Sequence, residues 1–241
     1  MESLSLKEHY QNQKFNNLHE FFWGFGSAFH TVYAVVPLFL KELGSPEVIA
    51  SSSAGLFSII IALPMLIIAA LTRNIVNMKR MVISVHCLIL LIAFLMGYVF
   101  TFSEFGENPN SWKIYFILFI FYALSIGIIV PIWADFLEKT TKRSLRGTFF
   151  GIGFAFNSVG AFGGGIVLKY LLQSNTPFPR NFGYGFIILF MCLLLGTLVF
   201  YFYKEKSYNR PYKSLKAFKV ETKDIITNRP NFHRYLFSRV F

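Results

Sequence analysis

The chain has 241 residues, of which 54% are hydrophobic and 15% charged, with 30 Phe and a formal net charge of +11. A soluble domain cannot keep that much apolar surface out of water, so the composition excludes an ordinary globular protein and points to one embedded in a membrane. It also excludes a disulfide framework or a CxxC metal site, because the two cysteines, Cys87 and Cys192, each sit inside an apolar run.

The first twenty residues mix Glu2, Glu8 and Glu20 with Lys7 and Lys14 and read as a cytoplasmic N-terminal segment, 1–20. The apolar run after them is too long for the core of a signal peptide. A hydrocarbon layer about 30 Å thick asks for roughly 20 apolar residues of helix. Runs of that length fall at 21–40, 48–71, 81–100, 112–134, 147–171 and 182–203. Lipid offers the backbone no hydrogen-bond partner, so the fold class predicted for 21–203 is an all-α membrane protein with six transmembrane helices. Pro37, Pro64 and Pro131 are expected to mark kinks, with neighbouring helices satisfying the carbonyls they free.

Of the 23 Lys and Arg residues, only Lys41, Lys113, Lys169 and Arg180 fall on one side of this arrangement. Basic residues stay cytoplasmic during insertion, so both termini are predicted to be cytoplasmic. The net charge is then largely a topology signal, the bilayer is the expected partner of the basic residues, and no nucleic-acid partner is expected. Residues 204–228 turn polar and basic and read as a cytoplasmic connector between domains. Arg229, Pro230 and Asn231 resemble a helix start, and Phe232, Leu236, Phe237 and Val240 begin an apolar face. Residues 229–241 are expected to open a truncated seventh transmembrane helix of a longer protein; the alternative is an amphipathic tail lying on the inner leaflet.

Three groups of residues attract functional readings. In the first span Trp23, Ser27, His30, Tyr33 and Pro37 recur at steps of four, three, three and four, which places them on one helix face. His30 lies near mid-span, where an ionisable side chain usually faces a cavity or a bundle interior; a neutral histidine bonded to another helix is the competing reading. In the fifth span Gly153, Asn157, Gly160 and Gly164 also share a face, and small residues there allow close helix packing. Asn157 reads as an interhelical hydrogen bond or a substrate contact, and Tyr122 and Ser125 add polar groups in the fourth span. At the end of that span Asp135 and Glu138 precede Lys139, Lys142, Arg143 and Arg146. They form either a solvated turn or a gate in which Asp135 pairs with Arg146, Lys79 or Arg80 when the cavity faces outward. No Ser–His–Asp spacing, nucleotide-binding GxxxxGK[ST] loop or metal-ligand cluster is present, so no enzyme activity, cofactor or metal is expected.

PLFLKELGSPEVIASSSAGLFSIIIALP, residues 37–64, resembles the first two helices of the major facilitator superfamily. PIWADFLEKTTKRSLRGTFFGIGFAFNSVGAFGGG, residues 131–165, is similar to that family's proline, acidic residue, short basic loop, Arg-Gly and glycine-rich fifth helix. The loop after the second span departs from the family pattern, with Ala70, Asn74, Ile75 and Asn77 where Gly, Asp, Arg and Gly would stand, and only Lys79 and Arg80 retained. Ala123 occupies the position where proton-coupled members often carry Arg, and Ala161 replaces the proline of the antiporter pattern in Gly160-Ala161-Phe162-Gly163-Gly164. The resemblance implies the N-terminal six-helix half of a secondary transporter of the cell membrane. Its implied partners are a small-molecule solute, a coupling ion and a missing C-terminal six-helix half, and it implies a first helix, with His30, that lines the central cavity. A six-helix permease subunit driven by a separate ATPase, an intramembrane protease and a membrane protein without transport activity stay open as alternatives.

Overall fold

The computed structural model describes residues 4–206 and 212–234. Among these, the α-helices are α1 Leu6–Ser27, α2 Val35–Glu42, α3 Glu47–Thr72, α4 Met78–Phe102, α5 Ser111–Thr140, α6 Arg146–Leu172, α7 Arg180–Val199 and α8 Leu215–Asn228. Six elements are long and apolar enough to cross a membrane; the first, Leu6–Glu42, joins α1, a 3-10 turn and α2, and the last extends α7 to Phe202.

The first element begins well before the apolar run. Ser5 accepts a hydrogen bond from the Glu8 amide while the Glu8 carboxylate accepts from the Ser5 amide at 2.9 Å, a reciprocal cap that starts α1 among polar residues. His9, Asn12, Gln13, Asn16, His19 and Glu20 are then buried, although by composition they read as a solvated flank.

The same element breaks where α1 tightens into a 3-10 turn, Ala28–His30, and Thr31 is extended. The Pro37 ring would collide with the carbonyl four residues back, at Tyr33, in a continuous helix. The chain avoids this by restarting at Val35, with the Thr31 hydroxyl accepting from the Val35 amide at 3.2 Å. Tyr33 consequently leaves the common helix face and is 83% exposed.

In the bundle, α1 packs on α6 and α7, α4 on α5 and α7, and α3 on α5. The α1–α6 contact is close because of its glycines. A Cβ on Gly160 would collide with the Phe21 carbonyl, one on Gly164 with the Phe25 carbonyl, and one on Gly24 with the carbonyl of Asn157. Gly153 faces the Asn16 side chain. Below this contact the core is aromatic: the Phe39 ring centre lies 4.7 Å from Tyr115, 4.7 Å from Phe182, 4.9 Å from Phe100 and 5.2 Å from Phe186.

Two helices keep an open face. Over its length α3 buries only Ala50, Ser53 and Thr72, and α6 only Phe149, Gly153, Gly160 and Gly164. Ile59, Leu63 and Leu66 on α3, and Phe154, Val159 and Phe162 on α6, are exposed.

The chain segments at one end of the bundle are tied to each other. The Asn12 amide donates to the carbonyls of Thr140 (2.9 Å) and Lys204 (2.8 Å), and its oxygen accepts from the Lys204 amide at 2.8 Å. Glu205 accepts from the first two amides of α4, Met78 at 2.9 Å and Lys79 at 2.8 Å, a carboxylate at a helix N-terminus. Lys139 lies 3.8 Å from Glu205, with the two side chains 3% and 9% exposed, and donates to the Val76 carbonyl at 2.6 Å. The Asn74 oxygen accepts from the Lys213 amide at 3.0 Å, and its nitrogen donates to the Lys213 carbonyl at 3.1 Å. The connector thus carries its own helix, α8, and is held to the bundle on both sides of 207–211. Residues 230–234 are helical; the rest of the predicted seventh helix, 235–241, lies outside the described residues.

Candidate functional site

A cavity of about 470 Å³ opens between α1, α3, α4, α5 and α6. Six of the residues singled out in the sequence line it together: Trp23, Ser27, His30, Tyr33, Tyr122 and Asn157. Ser125 does not. Its hydroxyl donates to the Phe121 carbonyl at 2.8 Å, one turn back on its own helix. Ser27 likewise donates to Gly24 at 2.9 Å, so at the cavity wall its oxygen offers lone pairs rather than a proton.

His30 is 4% exposed and sits in an aromatic cage, with ring centres 4.4 Å from Tyr122, 5.9 Å from Phe186 and 6.0 Å from Tyr115. Neither ring nitrogen has a hydrogen-bond partner among the described residues. A buried imidazole without partners is costly, so the position favours a ligand or a helix rearrangement that supplies them. Trp133, on α5, also lines the cavity with an unpartnered indole N–H.

The lining residues outside the groups first singled out include His19, Glu20, His86 and Trp133. Glu20 is 6% exposed, and its carboxylate accepts from the Asn157 amide at 3.0 Å across the α1–α6 contact. Asn157 is therefore both an interhelical bond and a cavity residue. His19 and His86 have ring centres 6.0 Å apart, with Trp23 5.8 Å from each. Their Nδ1 atoms lie 3.1 Å from the Gly196 carbonyl and 2.6 Å from the Val82 carbonyl. A carbonyl only accepts, so each Nδ1 carries the proton and each neutral ring keeps its Nε2 lone pair free. Among the described residues no three His, Cys, Asp or Glu side chains converge as a metal site.

The charged residues considered for a gate gather at the end of the bundle that holds Glu205. Arg146 lies 3.9 Å from the Glu138 carboxylate. Lys79 donates to the carbonyls of Tyr201 and Tyr203, and Arg80 is exposed, its backbone amide capped by Asn77 at 3.0 Å. Asp135 is half-buried on α5. Asn74 bonds the Lys213 backbone, and the start of α4 is capped by Glu205 from the connector.

No curated protein and no solved structure matches the chain. The family model of the Major Facilitator Superfamily matches residues 34–240, from the break in the first span through the connector. With six helices long and apolar enough to cross a membrane and that match across most of its length, the chain belongs to the Major Facilitator Superfamily.

Proposed function

We propose that this chain forms the N-terminal half of a secondary transporter that moves a small solute by alternating access. The observation that carries the proposal is the cavity itself: polar groups left without partners, His30 above all, converge in a space bounded by five helices. A structural core would have filled or satisfied that space.

The exposed faces of α3 and α6 support a second six-helix bundle as the missing wall. Gly55, Gly147, Gly151 and Gly165 have open space where a side chain would stand, so another helix could approach closely there. The asymmetry of Lys and Arg supports an orientation with the Glu205 end in the cytoplasm and both termini on that side. The cell membrane is the proposed location, with Asp135, Glu138, Lys79, Arg80 and Arg146 as the charged residues at the cytoplasmic gate and a coupling ion as a further partner. Reading the coding region past the codon for Phe241 tests the two-half organisation. About six further hydrophobic spans are expected; a stop codon there would refute it.

A further inference from the structure

We infer that the solute is an organic cation bearing N–H groups on an apolar or aromatic body, seated with its positive end at Glu20. The inference rests on the transport reading only in treating the cavity as a solute site. Glu20 is the one carboxylate lining the cavity, and no Lys or Arg lines it among the described residues. Its only described polar partner is the neutral amide of Asn157, at 3.0 Å. A buried carboxylate facing no cation is a poor resting arrangement for the charged group, and a cationic ligand supplies what is missing.

The surroundings point the same way. The Asn157 nitrogen spends one of its two hydrogens on Glu20, and its oxygen is left as an acceptor. His19 and His86 spend their Nδ1 protons on backbone carbonyls and keep acceptor lone pairs at Nε2, and Nε2 of His86 has no partner. Around Glu20 the cavity is therefore rich in acceptors, which suits a donor-bearing cation and disfavours an anion. Trp23 and Trp133 add ring faces that attract a cation and cover an apolar body. The donors left for a ligand, among them the Trp133 indole N–H, the Thr31 and Tyr122 hydroxyls and one His30 nitrogen, would take a hydroxyl or carbonyl elsewhere on that body.

Three probes share one aromatic body and differ in head group: 2-phenylethylammonium, 2-phenylethanol and phenylacetate. Purified protein is treated with dicyclohexylcarbodiimide, and modification of Glu20 is followed by peptide mass spectrometry. The ammonium is expected to slow modification at least tenfold and saturably, with the alcohol weaker and the carboxylate without effect. Equal or better protection by the alcohol or the carboxylate overturns the inference on the unmodified protein, independently of any variant. As a second readout, the ammonium should raise the unfolding temperature of the native protein, and Glu20→Gln should abolish that rise; an undiminished rise in the variant also overturns it. Neither readout needs flux, so failures of the two readings separate. Vesicles carrying the product of the whole gene that bind the ammonium without moving it would sink transport and leave this inference standing. Vesicles that accumulate the carboxylate in preference to the ammonium would sink the inference and leave transport standing.

Discussion

Replacing Glu205 by Gln removes a carboxylate that ties the connector to two helices at once. It caps α4 through two backbone amides and faces Lys139 of α5 at 3.8 Å, in a place where both side chains are almost fully buried. Breaking a buried ion pair from one side costs about 3–5 kcal/mol, because the remaining charge is left uncompensated. Lys139 keeps the Val76 and Ile75 carbonyls, at 2.6 and 3.3 Å, and Gln still accepts one amide, so the lower end, about 3 kcal/mol, is expected. Arg180 and Glu107 supply the control: they pair at 3.0 Å, closer than Lys139 and Glu205, but each is 53% exposed. Glu107→Gln should cost only about 0–1 kcal/mol. Equilibrium unfolding in mixed detergent micelles, followed by tryptophan fluorescence, measures both. A Glu205→Gln loss no larger than that of Glu107→Gln would refute the argument that burial, rather than distance, sets the strength of these pairs. Adding Lys139→Met to Glu205→Gln should recover part of the loss, since it removes the buried cation that Glu205 faced.

Other consequences follow from the same geometry. Gly160→Leu forces α1 and α6 apart and should destabilise by about 1–3 kcal/mol or more in the same unfolding assay, whereas Gly165→Ala, with open space around it, should stay within about 1 kcal/mol of the native protein. Asn157→Ala strips Glu20 of its described hydrogen-bond donor and should cost about 1–3 kcal/mol through the unsatisfied carboxylate, read again by unfolding. Cysteines placed at Ser174 and Ser144, in loops at opposite ends of the bundle, test the orientation: an impermeant maleimide added to intact cells should label position 174 and spare 144, and the reverse pattern would invert the proposed topology.

Six spans can be read from the sequence because each is a long apolar run, and length alone separates such runs from core helices of a soluble protein. Helix ends are harder to read, since they are built from polar residues that hydropathy assigns to loops. Residues 6–20 illustrate this: Asn12 is buried because it bonds backbone groups of Thr140 and Lys204, partners far away in sequence. Glu205 is hidden for the same reason, being a connector residue until α4 is seen to begin beneath it. Of the cavity residues, Trp23, Ser27 and His30 announce themselves by helical spacing, and His86 could have been found by the depth argument that marks His30. Glu20 could not, because an acid at the edge of an apolar run looks like a flank until the α1–α6 contact carries it inside. Tyr33 shares the spacing of that face and lines the cavity, but the break ahead of Pro37 leaves most of its side chain exposed.

The proposed transport requires a cavity whose access alternates between the two sides of the membrane. Single cysteines at Tyr33, just past the break in the first span, and at Trp133, in the half of α5 that leads to Lys139 and Glu205, both line the cavity and report on it directly. Each is introduced with Cys87 and Cys192 replaced, in membranes containing the product of the whole gene, and maleimide labelling rates are compared with and without 2-phenylethylammonium. Alternating access predicts that the ligand raises the rate at one position and lowers it at the other. Rates that fall together, or do not change while the ligand is bound, would contradict the account.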